Sequence, residues 1–145
     1  MTSSQQLPKS ERINSKKLID RLFKGGGAKS MSAFPLRVVF MTEDGDAHEP
    51  LAQMMVSVPK RFFKRAVKRN LVKRLVREAY RRNKQVLIDT LQTVEQRKTL
   101  SLCLIWTDHN LRSYEEVERK TANLLQRIAE KIGKDMAEEA ENAEQ

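Results

Sequence analysis

The residues with the strongest chemical signature in this chain are the cations between positions 60 and 84. That segment holds twelve Lys or Arg residues and one acid, Glu78. The other 120 residues carry 16 basic and 18 acidic side chains, so essentially all of the net charge of +9 comes from one segment. Cations at this density bind phosphates, and a basic block inside a folded element is typical of a surface that faces a polyanion. The sequence therefore predicts a nucleic-acid site, with an anionic membrane as the weaker alternative.

A helix is predicted to carry these cations from residue 63 or 64 to residue 84, because no Gly or Pro interrupts the segment. Residues placed at 100° steps separate into two faces. The polar stripe consists of Arg69, Asn70, Lys73, Arg74, Arg77 and Arg81. The opposite half, which is predicted to pack on a sheet, consists of Val67, Leu71, Val72, Leu75, Val76 and Ala79, with Lys68 as a cation among them. Because the stripe lacks acids at i+4 spacing, its cations repel one another, and a polyanionic partner would relieve that repulsion.

Other side chains that could bind metal or take part in catalysis form weaker patterns. Residues 43–49 (EDGDAHE) hold four acids and a histidine, but not in the order of a calcium-binding loop, which favours a solvated turn. Residues 108–110 (DHN) follow an apolar run without a neighbouring nucleophile and also favour a turn. Cys103 lies in the middle of that apolar run, which is typical of buried packing. We therefore predict no catalytic side chain and no metal site in the protein.

Five further elements are expected around the basic helix. An amphipathic helix is predicted over residues 15–24, ending at a run of three glycines. Residues 34–41 and 51–58 favour two strands of an antiparallel hairpin, and residues 100–106 favour a buried third strand. A capping box near residue 113 predicts the start of a last long helix. The order αββαβα indicates an α+β sandwich, with one small central sheet and helices packed on it.

Composition predicts one domain with two disordered ends. Residues 1–8 are expected to be disordered, residues 9–132 to form a single RNA-binding domain, and residues 133–145 to form an acidic disordered tail. A single cysteine allows no internal disulfide, and the first residues lack the apolar run of a signal peptide. No stretch approaches the roughly 18 apolar residues that a transmembrane helix requires. These features predict a soluble cytoplasmic protein that does not act at a membrane.

Two segments of the chain closely resemble the signature of the bacterial ribonuclease P protein component. They are residues 56–61 (VSVPKR) and residues 65–81 (RAVKRNLVKRLVREAYR). A weaker resemblance extends over about residues 9–131. It implies the same αββαβα order and an unusual left-handed crossover between the second and third strands, whereas general rules would predict a right-handed one.

The resemblance implies that this chain is the accessory subunit of a ribonucleoprotein endoribonuclease. The expected partners are a catalytic RNA and precursor tRNA, whose 5′ leader is removed, and no obligate protein partner is expected. The chemistry would belong to the RNA and to Mg²⁺ ions carried mainly by that RNA, with no catalytic residue in the protein. The residues expected to contact the RNA subunit are Lys60, Arg61, Lys64, Arg65, Lys68, Arg69, Asn70, Lys73, Arg74, Arg77 and Arg81.

A second site implied by the resemblance is a cleft that binds the single-stranded leader. The expected cleft residues are Arg12, Ile19, Phe23, Phe34 and Arg37, although ordinary core packing is an equal alternative for the two phenylalanines. Ile19 and Arg37 replace aromatic residues that are common in the family, and Leu71 replaces the last residue of its usual Arg-Asn-Arg motif. Two other functions stay open from the residues alone: a non-catalytic binder of double-stranded DNA or ribosomal RNA, and a basic amphipathic helix on an anionic membrane.

Overall fold

The computed structural model of the chain describes residues 6–94 and 96–144. Within these residues, four α-helices and one four-stranded sheet account for most of the fold. The helices are α1 (Lys16–Lys24), α2 (Ala66–Asn83), α3 (Gln85–Gln92) and α4 (Tyr114–Glu144), preceded by a 3-10 turn at Lys9–Glu11. The strands are β1 (Lys29–Ala33), β2 (Leu36–Asp44), β3 (Ala52–Ser57) and β4 (Lys98–Trp106). The α+β class predicted from the sequence is confirmed.

The strand order in the sheet is β1-β2-β4-β3. β2 is antiparallel to both β1 and β4, whereas β3 is parallel to β4. The predicted hairpin between β2 and β3 is therefore wrong, because β4 lies between these strands. The physical reason is burial: β4 buries five consecutive residues, as a strand covered on both faces does, while β3 alternates between buried and half-buried residues. The parallel connection from β3 to β4 runs through α2 and α3, and its hand stays a prediction.

Two elements were not predicted from the sequence. β1 has the sequence KSMSA, which lacks the branched and aromatic residues that mark strands. α3 begins two residues after α2 ends, so the apolar periodicity of one helix runs into the next without a Gly or Pro between them. Both elements are short, and their positions come from tertiary packing rather than from a local signal.

The two faces of the sheet are covered unequally. The larger core lies between one face and helices α2, α3 and α4, and it contains the fully buried Trp106, Tyr80 and Leu124. On the other face, α1 covers a smaller cluster that includes Val39 and Cys103. The prediction that Cys103 serves packing is confirmed, since it is buried and burial raises the pKa of its thiol to about 12. Part of this second face therefore lies open beside α1.

The two ends of the chain are more ordered than predicted. α4 continues through Gly133 to Glu144, so the predicted disorder after residue 132 is wrong as far as residue 144. The helix persists because Ala, Glu, Lys and Met favour it, and because Ile132 and Met136 pack on the core. At the other end, Leu7 is only 4% exposed, so residue 7 belongs to the core rather than to a disordered segment. Residues 1–5 and 145 lie outside the described residues.

In the described part of the chain, none of the helices is both long enough and apolar enough to cross a bilayer.

Candidate nucleic-acid interface

Helix α2 is fixed to the fold by one buried side. Val72, Val76, Ala79 and Tyr80 are completely buried, and α2 packs mainly against α4. This contact shifts the buried side toward Tyr80 and away from the first turn of the helix. Val67 is 79% exposed and Leu71 is 37% exposed. The prediction that these two residues pack on the sheet is therefore wrong, and Leu75 is only half-buried.

The cations predicted to contact RNA all reach the surface of the molecule. Seven of the eleven predicted residues are exposed: Lys60, Arg61, Lys64, Arg65, Lys68, Asn70 and Arg74. The other four, Arg69, Lys73, Arg77 and Arg81, are half-buried. They extend from the loop that precedes α2 along three turns of the helix. Together these eleven residues make the loop and the solvent-facing part of α2 strongly basic, and they are called the basic surface below.

Two of these residues also have structural roles. Arg81 forms an ion pair with Glu78, with its Nη2 2.6 Å from Oε1, and this hydrogen bond lowers the pKa of Glu78. Arg69 donates from Nη1 to the backbone carbonyl oxygens of Phe63 and Lys64, each at 2.8 Å. Arg69 therefore ties the preceding loop to the first turns of α2. In the described part of the chain, no other cation of the basic surface forms a salt bridge.

Arg12, which is predicted to line the leader cleft, lies beside α2. Ile13 donates its backbone N–H to the Met54 carbonyl oxygen at 2.9 Å, so this segment runs along the outer edge of β3. Burial, together with the nearby charges of Arg12 and Arg74, lowers the pKa of Arg77 below its ordinary value. All three arginines line the same groove, and they are called the arginine cluster below.

This arginine cluster lines an open groove between α2 and the start of the chain. The groove has a volume of about 580 Å³. Its lining residues are Gln6, Leu7, Arg12, Leu71, Arg74, Leu75, Arg77, Glu78 and Tyr114. The apolar part of the groove was missed because the helical wheel placed Leu71 and Leu75 in the core. The only signal in the sequence for this apolar part was Leu71 itself, a leucine at the position where the family motif has an arginine.

The open part of the second sheet face holds three of the five predicted cleft residues. Ile19 is half-buried against the small cluster under α1, and Phe23 follows one turn later at 48% exposed. Arg37 is exposed on β2, directly opposite Ile105 of β4. This surface combines apolar side chains with a cation.

Phe34 lies apart from these three residues, at the turn between β1 and β2. It is 55% exposed, and the guanidinium carbon of Arg112 lies 4.9 Å from the centre of its ring. Arg112 is held by Asp108 and Glu116, each at 2.6 Å. The alternative that Phe23 and Phe34 are core residues is wrong, because both are about half exposed.

Phe62 and His109 also meet at this end of the sheet, although the sequence did not link them. Their rings lie 4.8 Å apart in an edge-to-face arrangement, and Arg61 lies over Phe62 at 4.9 Å. The loops that follow β3 and β4 meet because these strands are parallel neighbours. The contact depends on the strand order, which no local pattern revealed.

Three of the four acids in residues 43–49, which cover the end of β2 and the turn after it, make contacts within the fold. Glu43 pairs with Arg21 at 3.1 Å and Asp44 pairs with Lys98 at 2.6 Å, while Asp46 accepts a hydrogen bond from the His48 backbone. Among the described residues, no group of three or more His, Cys, Asp or Glu side chains is close enough to hold a metal ion.

Comparison with known proteins gives a consistent result. The ribonuclease P family model matches residues 7–129. A ribonuclease P protein component from Porphyromonas gingivalis is 43% identical over 124 residues, covering 85% of this chain and 86% of the relative. Another from Chlorobium phaeobacteroides is 37% identical over 83 residues, 56% of each chain.

Solved structures with the same fold include two bacterial proteins. The RNase P protein from Thermotoga maritima aligns with a TM-score of 0.61 at 25% identity, covering 81% of this chain and 96% of that one. The Staphylococcus aureus RNase P protein aligns with a TM-score of 0.57 at 18% identity, covering 83% and 96%.

Proposed function

Because the chain belongs to the ribonuclease P protein family, we propose that it assembles with a catalytic RNA and promotes removal of the 5′ leader from precursor tRNA. The observation that carries the proposal is the basic surface of α2, whose buried side fixes it to a rigid core. A surface of unpaired cations on a rigid helix suits a folded polyanion better than a flexible tail does, because little order is lost on binding. The family resemblance found in the sequence is confirmed by the comparisons.

The RNA subunit is proposed to bind along the exposed side of α2 and the loop before it. Lys68, Lys73 and Arg74 have no salt bridge within the described residues, so phosphates can bind them without displacing an acid. Arginine side chains can also grip phosphates with two parallel hydrogen bonds. Asn70 is exposed between them and can both donate and accept, which suits a base edge or a ribose hydroxyl.

The leader of precursor tRNA is proposed to cross the open part of the second sheet face. Phe23 offers an exposed ring, and base stacking on such a ring contributes about 1–3 kcal/mol per base. Arg37 supplies a cation for the phosphate chain, and Ile19 adds apolar contact. With one aromatic ring among these three residues, leader binding is expected to depend strongly on charge.

We propose that catalysis resides in the RNA, and that Mg²⁺ bound there supplies charge neutralisation at the scissile phosphate. The part of this chain would be to bind and orient the two RNAs. Of the acids considered as possible metal ligands, Glu43 and Asp44 pair with cations, and Asp108 pairs with Arg112. The cytoplasm is the proposed compartment, as the place where an enzyme of tRNA maturation would meet its substrate.

The proposal is tested by cleavage of a 5′-extended precursor tRNA at low Mg²⁺. Three reactions are compared: the protein alone, a bacterial ribonuclease P RNA alone, and the two together. Activity only in the mixture supports an accessory subunit. Activity of the protein alone would contradict the assignment of catalysis to RNA. No activity in the mixture would favour the alternative of a non-catalytic nucleic-acid binder.

A matched pair of variants locates the RNA contact. Arg74→Ala removes an unpaired exposed cation of α2, whereas Arg119→Ala removes an exposed cation of α4 with no salt bridge among the described residues. Only Arg74→Ala is expected to weaken assembly with the RNA. Equal weakening by both variants would show that net charge, rather than the surface of α2, determines binding.

A further inference from the structure

The groove between α2 and the start of the chain differs from the rest of the basic surface because its floor is apolar. Leu7, Leu71 and Leu75 supply the floor, and Leu71 and Leu75 follow each other by one helical turn. Arg12, Arg74 and Arg77 stand around it. An apolar floor that Leu71 exposes to solvent, surrounded by three cations, does not serve phosphate binding alone, since a phosphate gains nothing from leucine.

The charges of the groove select an anionic occupant. Glu78 is the only acid among the lining residues, and it is already paired with Arg81. Arg12 uses its Nε to donate to the Leu7 carbonyl oxygen at 3.2 Å, which fixes the side chain and leaves its terminal nitrogens available. The groove therefore combines an apolar surface with three guanidinium groups, those of Arg12, Arg74 and Arg77. A peptide of ordinary composition would not need this charge.

The size of the groove fits one nucleotide. Its volume of about 580 Å³ lies within the usual range of about 300–1,000 Å³ for small-molecule sites. A base has two apolar faces that can lie against leucine side chains or guanidinium planes. In a duplex these faces are stacked and inaccessible, so only an unpaired base could enter.

From these observations we infer that the groove receives one unpaired nucleotide of the RNA subunit, with its base against Leu71 and Leu75 and its phosphates on Arg12, Arg74 and Arg77. The inference rests on the proposed function, since it names a contact within the assembly with RNA. It gives Leu71 a role that an arginine in the same place would not have. It also assigns Arg12 to the RNA-subunit surface rather than to the leader cleft.

The direct test is NMR of the full chain with labelled leucine methyl groups, titrated with adenosine 5′-monophosphate and, separately, with ribose 5-phosphate. The nucleotide should shift the methyl signals of Leu7, Leu71 and Leu75, while the sugar phosphate, which lacks a base, should not. Equal shifts with both probes would overturn the inference, because the groove would then be a phosphate site. Shifts confined to residues near Phe23 and Arg37, or no shifts, would overturn it as well.

Two variants carry the test to the assembled complex. Leu71→Ser removes part of the apolar floor, and Val67→Ser is the control, because Val67 is exposed one turn earlier and does not line the groove. If about 1 kcal/mol of base contact is lost, Leu71→Ser should bind the RNA subunit about fivefold more weakly. Its salt dependence and its thermal unfolding should match those of the wild type.

The two proposals can fail separately. If the wild-type protein supports cleavage by the RNA, but Leu71→Ser and Val67→Ser bind that RNA equally well, the groove inference is wrong and the proposed function stands. If the protein neither binds the RNA nor supports cleavage, the proposed function is wrong. The assignment of the bound nucleotide to the RNA subunit is then wrong as well.

Discussion

Helices α2 and α4 pack against each other on the same sheet face, but they differ in how many of their charged side chains have partners within the fold. In α4, Lys131 pairs with Asp135 one turn later at 3.3 Å, and Tyr114 donates to Glu118 at 2.7 Å. In α2, Lys73 and Arg74 have no salt bridge within the described residues. Lys131, Asp135 and Glu118 of α4 are thus held by contacts within the fold. Lys73 and Arg74 of α2 are left for a partner.

The two helices also separate the charges in space. Near its start α4 meets α2, where Glu118 pairs with Arg82 at 3.4 Å. Its acidic end reaches the first strand, where Asp135 pairs with Lys29 at 2.6 Å. The acidic end is thus kept away from the basic surface. This separation orients the protein in the field of a polyanion, because the basic surface attracts phosphates and the acidic end of α4 repels them.

The largest expected effect distinguishes the buried side of α4 from the exposed side of α2. Leu124→Ala should lower the free energy of unfolding by about 2–5 kcal/mol, because Leu124 is fully buried in the larger core. Leu71→Ala should change it by less than about 0.5 kcal/mol, because that side chain is exposed. Urea unfolding of both variants measures the difference. Equal losses would mean that Leu71 is buried in the core, so that α2 turns a different side toward α4.

Salt dependence tests whether the unpaired charges of α2 bind phosphates. If about six phosphates are neutralised, the logarithm of affinity for the RNA subunit should fall against the logarithm of salt concentration with a slope of about −4 to −5. Arg74→Ala should reduce that slope by about 0.7–0.9. Filter binding between 50 and 200 mM salt, about the range over which such effects are large, provides the measurement. A slope near zero would contradict an electrostatic interface.

Arg69 and Arg74 should separate structure from binding within α2 itself. Arg69→Ala removes two hydrogen bonds to backbone carbonyls and should cost about 1–3 kcal/mol of stability, since hydrogen bonds from a charged donor are stronger than neutral ones. Arg74→Ala should cost less than about 0.5 kcal/mol, because Arg74 is exposed and unpaired among the described residues. Thermal unfolding compares the two. An unchanged melting temperature for Arg69→Ala would show that the loop does not depend on this contact.

The smallest effect concerns the paired acids of α4. The hydrogen bond from Lys29 is the main cause that lowers the pKa of Asp135 in the folded protein below its ordinary value of 3.8. A lowered pKa stabilises the fold above pH 3.8, and this contribution disappears as the pH falls through the folded value. Asp135→Asn should therefore be slightly less stable than the wild type at pH 7, by no more than about 1 kcal/mol. In strong acid the difference should vanish.

Glu141→Gln is the matched control for this pH effect. Glu141 is exposed on the same helix and takes part in no salt bridge of the described residues. Its replacement should leave the urea midpoint unchanged at both pH values. If Asp135→Asn behaves like Glu141→Gln at pH 7, the pairing of Lys29 with Asp135 contributes nothing to stability.

Local patterns predicted the basic helix well, because charge and periodicity are properties of one segment. The polar stripe from Arg69 to Arg81 could be predicted without knowing the sheet, although Lys68 fell in the apolar half of the wheel. The exposure of Val67 and Leu71 could not be predicted, since it depends on α4 drawing Tyr80 into the core. A helical wheel gives the relative positions of residues but not which angle faces the neighbouring element.

The site residues contributed by distant segments were the harder part. Arg12 reaches α2 because the chain before α1 pairs with the edge of β3, a contact with no local signal. Phe34 is predicted to line the leader cleft, and the β1 hairpin places it at the end of the sheet, where Arg112 lies over its ring. In both cases the missing information was the strand order, which places β4 between two strands that are consecutive in sequence.

The segments along the outer strands of the sheet have a consequence for self-association. An exposed strand edge can pair with a second copy of a protein and begin aggregation. Here the Ile13 N–H binds a β3 carbonyl, and Arg127 of α4 donates to the Ser32 carbonyl of β1 at 2.8 Å. On each outer strand, one backbone carbonyl group is therefore already bound within the chain. Fewer free groups remain along these edges for pairing with a second copy.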